Sequence, residues 1–156
     1  MKEKQEITFF SKRQKKQLST DLHERFGITI SFESDVILQT GKHKLWICTP
    51  EYEQTKELPY RVETIGLYFG QYDKRSALRL SIEGAMMFGK DATKNVIELD
   101  KKQLEYWIRG VNLDYSGTNE GYVILTHQGD IVGCGKAFHG GILNHVPKER
   151  RIKNLI

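Results

Sequence analysis

Cysteine is scarce in this sequence: 156 residues hold two, Cys48 and Cys134, with no C-x-x-C pair and no histidine cluster at ligand spacing. That argues against a disulfide scaffold and a zinc finger. No apolar run approaches the roughly 18 residues of a membrane span, and the opening M-K-E-K-Q-E lacks the apolar core of a secretory signal. A cytoplasmic protein with no membrane partner is expected. The motifs of cofactor chemistry are missing too. No G-x-G-x-x-G follows the first strand-like segment, and Gly133-Cys-Gly-Lys136 lacks the spacing of a phosphate loop and precedes a strand rather than a helix. The five histidines form neither H-x-x-x-H nor H-E-x-x-H, and Glu98, Asp100, Glu105 and Asp114 lie where helix caps and solvated faces would put them. No catalytic residue, cofactor or metal is assigned. Both cysteines are expected to be small buried residues, because a nucleophilic thiol needs an activating base or an electropositive, partly exposed site.

What is present is an uneven charge. The net charge is +4. Residues 1–16 carry Lys2, Lys4, Lys12, Arg13, Lys15 and Lys16 against two acidic residues, and residues 134–156 carry Lys136, Lys148, Arg150, Arg151 and Lys153 against one. Each end is therefore +4 and the middle is −4. Clustered cations of this kind suit a localised polyanion-binding face, while charged ends that simply keep the chain in solution would look the same.

Local patterns place the elements. Ser11-Lys-Arg-Gln14 is a capping box, and Leu18, Leu22 and Phe26 recur at helical spacing until Gly27, which predicts a helix over about 11–26. Strand language follows at Ile28–Phe32, Val36–Leu38 and Lys44–Cys48, with Thr40-Gly-Lys42 as a turn. Pro50 and Pro59 bracket a polar loop, then Val62–Gly70 and Leu78–Ile82 read as strands, and Ile82–Gly89 fits helix or turn equally. From residue 94 come a strand at Asn95–Leu99, a helix capped by Asp100 and stopped by Gly110, strands at Gly121–Thr126 and Ile131–Lys136, and a glycine turn into a basic strand. No repeat and no low-complexity segment occurs. The expected class is α+β, an N-terminal α/β module over residues 1–92 followed by a small mixed β-barrel over 93–156, packed together because the linking segment is short.

One cluster resists a bland explanation. Lys136, His139, Gly140, Gly141, Asn144, His145, Lys148, Arg150 and Arg151 interleave cations, amides and glycines over sixteen residues. Glycines let backbone N–H groups approach a phosphate, and the cations supply salt-dependent attraction.

The order V-I-E-L-D-K-K-Q-L-E-Y-W-I-R-G, then G-Y-V-I-L-T-H-Q-G-D-I-V-G-C-G-K, then G-G-I-L-N-H-V-P-K-E-R-R resembles the PUA-like RNA-binding domain at the C-terminus of Sun-family RNA cytosine-5 methyltransferases. The likeness covers about residues 96–152. Cys134 stands where bacterial members usually have an aromatic residue, and Leu143 replaces a common lysine. The N-terminal half loosely resembles the pre-PUA module of small archaeal ribosome-biogenesis proteins. The resemblance implies a PUA-like barrel preceded by a pre-PUA module, and RNA contacts from the nine residues of the cluster. A Sun-type enzyme also needs a Rossmann domain for S-adenosylmethionine and two catalytic cysteine motifs, and these 156 residues hold neither. The expected function is therefore a non-catalytic protein that binds structured rRNA or tRNA in RNA modification or ribosome biogenesis. The alternatives are an accessory subunit of a separate RNA cytosine-5 methyltransferase and a small enzyme built around H-G-G-I-L-N-H.

Overall fold

The structure, a computed structural model, describes residues 7–41, 43–55 and 65–154. The expectations for Lys42, Pro59 and the start of the strand at Val62 lie outside the described residues.

The chain begins with β1 (Ile7–Phe9) and α1 (Lys12–Phe26). Ser11 caps α1 as its sequence promised: its hydroxyl accepts from the Gln14 N–H, and the Gln14 side chain accepts from the Ser11 N–H. Strands β2 (Val36–Thr40), β3 (Lys44–Cys48), β4 (Leu67–Tyr72) and β5 (Leu78–Leu80) follow, with a 3-10 turn at Pro50–Thr55. They form an antiparallel sheet in the order β1-β2-β3-β4-β5.

The ambiguous run after β5 is a helix, α2 (Ile82–Phe88). The Ser81 hydroxyl accepts from the Gly84 N–H, and at Gly84 a Cβ would sit 1.9 Å from the Phe69 carbonyl oxygen, so only glycine lets this helix lie against β4.

The second half contains β6 (Val96–Glu98), α3 (Lys101–Ile108), β7 (Leu113–Asp114), β8 (Gly121–His127), β9 (Asp130–Phe138) and β10 (Gly141–Leu143). Asp100 caps α3 with a second reciprocal box, to Gln103. The strand order is β6-β8-β9-β10-β7, with β6 parallel to β8 and the other pairs antiparallel. The fold is thus α+β: an N-terminal α/β region and a C-terminal mixed sheet. The expected barrel does not close. Its edge strands β6 and β7 have three and two residues, and no described ladder joins them.

Two further expectations change. Ile28–Phe32 is not a strand, although Ile28 and Phe32 are buried: its apolar alternation is satisfied by the core without a hydrogen-bonding partner. The basic C-terminal segment is also not a strand beyond Leu143. Pro147 cannot donate to a ladder, and Lys148–Arg150 form a 3-10 turn.

Strand β8 explains why the halves sit together. Tyr122 and Ile124 face a core made with Leu18, Leu22, Phe26, Phe69 and Phe88 of the N-terminal half, while Val123 and Leu125 face a second core with Trp107, Leu113 and Ile142. Both faces of β8 are buried, so its sequence is a continuous apolar run rather than an alternation.

Candidate functional site

The nine nominated residues fall on β9, β10 and the segment after them, and the fold assigns them different roles. The β9–β10 turn exposes His139 and Gly140, with Gly140 at φ +87° and open space around it. Gly141 is buried and pairs with Phe138 and Asp114. Lys148 and Arg150 are exposed on the 3-10 turn.

Asn144 turns inward. Its Nδ2 donates to the carbonyls of Trp107 (2.8 Å) and Val111 (3.0 Å), and its Oδ1 accepts from the Val146 N–H (2.8 Å). Those bonds satisfy carbonyls at the C-terminal end of α3 and bind that helix to β10. Arg151 is also structural in part: its Nε donates to the Val146 carbonyl at 3.1 Å, and its guanidinium lies over Gly110.

Lys136 projects from β9 with its Nζ 5.1 Å from the Tyr122 ring centre and 3.6 Å from Asp73 Oδ2. Asp73 belongs to the β4–β5 turn and ties the halves together. Its Oδ1 accepts from the N–H groups of Arg75 and Ala77, and its Oδ2 accepts from the Tyr122 hydroxyl at 2.9 Å. Burial opposes ionisation of Asp73, but these donors and the Lys136 charge outweigh it and hold the carboxyl below its ordinary range. Tyr122 is pushed up to about 12 by burial and by the Asp73 carboxylate. Arg25 reaches across from α1, donating from Nε to the Tyr122 carbonyl (2.7 Å) and from Nη2 to that of Glu120 (2.5 Å).

His145 is half-buried, its Nδ1 3.3 Å from Arg79 Nη1. Arginine only donates, so Nδ1 accepts and the neutral ring carries its proton on Nε2. Burial, then the Arg79 and Lys136 charges, push its pKa down to about 4. The sign of the linkage follows: the unfolded state, titrating at about 6.5, takes up a proton the folded state refuses. The stability contributed is complete above pH ~6.5 and is lost as pH falls towards about 4. Denaturant melts across that window are expected to show falling stability for the parent and a flatter profile for His145→Gln.

Two clefts flank this network. One, about 570 Å³, lies between α1 and β8–β9 and is lined by Asp21, Glu24, Asp73 and Glu120 as well as Arg25, Arg75, Lys136 and His139. Four carboxylates make it a poor polyanion groove. The other, about 420 Å³, lies where β4, β5 and α2 meet residues 145–150, and Lys44, Tyr68, Arg79, His145 and Arg150 line it with Glu83 and Glu149. Arg150 is ion-paired to Glu83, whose carboxyl it holds below the ordinary range against the opposing effect of burial. Lys44, Tyr68 and Arg79 were not nominated from sequence, where they fall inside strand-like segments.

The cysteines are buried or half-buried and unpaired; burial pushes the Cys134 thiol up to about 11, so it stays protonated at neutral pH. Among the described residues no group of three or more His, Cys, Asp or Glu side chains is placed to hold a metal ion, and no helix is long and apolar enough to cross a membrane.

Residues 94–152 match the family model described as the Methyltransferase RsmF PUA domain. Similar proteins include the ribosomal RNA small subunit methyltransferase F of Vibrio cholerae serotype O1 (strain M66-2), 26% identical over 147 residues, and that of Vibrio parahaemolyticus serotype O3:K6, 27% identical over 152 residues. Both alignments cover 93% of this chain, so they run through the N-terminal half as well. The chain spans about 30% of the length of these curated relatives. The motif resemblance at 96–152 falls on the segment this family model matches, so the local motifs and the comparison point to the same PUA-like stretch of the chain.

Proposed function

We propose that this chain binds structured RNA, of the rRNA or tRNA type, as a non-catalytic module in RNA modification or ribosome biogenesis. The observation that carries this reading is the match of residues 94–152 to a PUA domain that belongs to RNA-modifying enzymes. In it the chain divides at 92/93, into a pre-PUA-like module and a PUA-like domain. His139, Gly140, Lys148 and Arg150 form the contact surface, and Lys136, paired with Asp73, holds its shape together with Gly141, Asn144, His145 and Arg151. PUA-type recognition is of RNA shape through the sugar-phosphate backbone, which suits a modest net charge concentrated in a few places.

The cations of the 3-10 turn supply the test. Changing Lys148 and Arg150 together to alanine is expected to lower the slope of log affinity against log salt by about one to two, the second contact requiring Arg150 to leave its ion pair with Glu83. Arg151 is left intact because it supports the Val146 carbonyl. Changing Lys12, Arg13, Lys15 and Lys16 together is expected to cost less affinity despite removing twice the charge. Filter binding at rising salt measures both, and a larger loss for the helix variant would move the site to α1.

A second reading, an accessory subunit of a separate RNA cytosine-5 methyltransferase, is favoured by Met86 and Met87. Both stand exposed on α2, at 58% and 39%, where a protein partner could cover them.

A further inference from the structure

The cleft of about 420 Å³ has an imbalance of donors and charge that the fold itself does not resolve. Arg79 stands on β5, half-buried, between neutral neighbours: the His145 ring on one side and the Tyr68 hydroxyl, which donates to Gln71 at 2.9 Å, on the other. Among the described residues no carboxylate pairs with Arg79, and Glu83 in the same cleft is taken by Arg150. A cation that has lost part of its hydration without gaining a counter-ion is an anion site.

A second observation concerns buried nitrogens. His145 Nε2 and Trp107 Nε1 are buried nitrogens with no hydrogen-bond partner, and both residues line this cleft. The His145 nitrogen carries its proton and is an unmatched donor beside Arg79, whereas the Trp107 N–H packs toward Gly133 inside the core. Lys44, on the lining, has its Nζ over the Tyr68 ring, 5.9 Å from the ring centre, and Trp46 packs on that ring at 5.4 Å.

An unmatched donor, an unpaired guanidinium, a second cation and an aromatic ring select a ligand rich in acceptors that is both anionic and flat. The cleft volume lies within the range of small-molecule sites, about 300–1,000 Å³. We propose that this cleft takes one nucleotide of the bound RNA, its phosphate between Arg79 and Lys44 and its base against Tyr68. The site rests on the RNA-binding reading above and extends it: the N-terminal sheet becomes part of the binding surface, and the RNA spans the junction of the two halves.

The test uses the full chain and a labelled fragment of small-subunit rRNA, with anisotropy read at several salt concentrations. Arg79→Gln is expected to weaken binding about tenfold and to lower the salt slope by about one, while Arg79→Lys keeps the slope. Tyr68→Ala is expected to weaken binding about five- to tenfold with the slope unchanged, because stacking releases no counterions, and Tyr68→Phe binds as the parent does. Thermal melts confirm that each variant is folded. If folded Arg79→Gln and Tyr68→Ala bind like the parent while Lys148→Ala with Arg150→Ala is impaired, RNA binding stands and the nucleotide site is wrong. If the parent itself binds no RNA, both readings fail. Titration with AMP and UMP covers the other source of the same chemistry: micromolar binding of either one, lost in Arg79→Gln, would overturn the assignment to RNA in favour of a free nucleotide.

Discussion

Replacing Trp107 by alanine is expected to destabilise the protein by about 3–5 kcal/mol, the range for large aromatic truncations in packed cores. Trp107 is 1% exposed, the largest fully buried side chain described, and it joins α3 to the C-terminal sheet. The G-x-G-K motif is its complement: a Cβ at Gly135 would sit 2.9 Å from the indole and 2.6 Å from Ile142, and one at Gly133 would sit 3.4 Å from the indole nitrogen. These glycines make room for the tryptophan, not for a phosphate. Trp107→Phe is expected to cost far less, since it keeps most of the apolar bulk and removes a buried N–H that has no acceptor. Urea unfolding followed by circular dichroism reads both values. The alanine variant is also expected to lose RNA binding wherever it is unfolded, because the same core positions the β9–β10 turn.

Asn144→Ala is expected to cost about 2–3 kcal/mol, at roughly 1 kcal/mol for each of three side-chain hydrogen bonds. The loss leaves the Trp107 and Val111 carbonyls and the Val146 N–H without their partner. Asn144→Asp is expected to be at least as harmful, because a carboxylate cannot donate to two carbonyls. The RNA readout separates a clamp from a contact. Well below its melting temperature Asn144→Ala is expected to bind RNA with the parent's salt slope and within a few-fold of its affinity. A large affinity loss in the folded variant would make Asn144 a direct contact.

Much of the fold is legible because its signals are local. The capping boxes at Ser11 and Asp100 and the stripe Leu18-Leu22-Phe26 depend on residues within one or two turns of each other. Ile28–Phe32 misleads because burial imposes the same alternation that a ladder would. The site is only partly legible. Sequence picks out the region from His139 to Arg151 through its cations and glycines, yet it cannot separate exposed Lys148 from Asn144, whose partners lie 33 and 37 positions away. Arg79 and His145 are 66 residues apart in sequence and meet only through packing across the junction. Their charge and donor imbalance is a property of the tertiary structure, and nothing in the strand pattern around Arg79 announces it.

RNA binding by this chain is proposed to be electrostatic in its attraction and selective for structured RNA. Anisotropy of labelled small-subunit rRNA fragments across about 50–200 mM salt, with duplex DNA of equal length as the reference, decides it. Linear weakening on log–log axes is expected, with a slope of several phosphate contacts and tighter binding of RNA than DNA at each salt concentration. No binding at the lowest salt, or an affinity that does not change with salt, would contradict it.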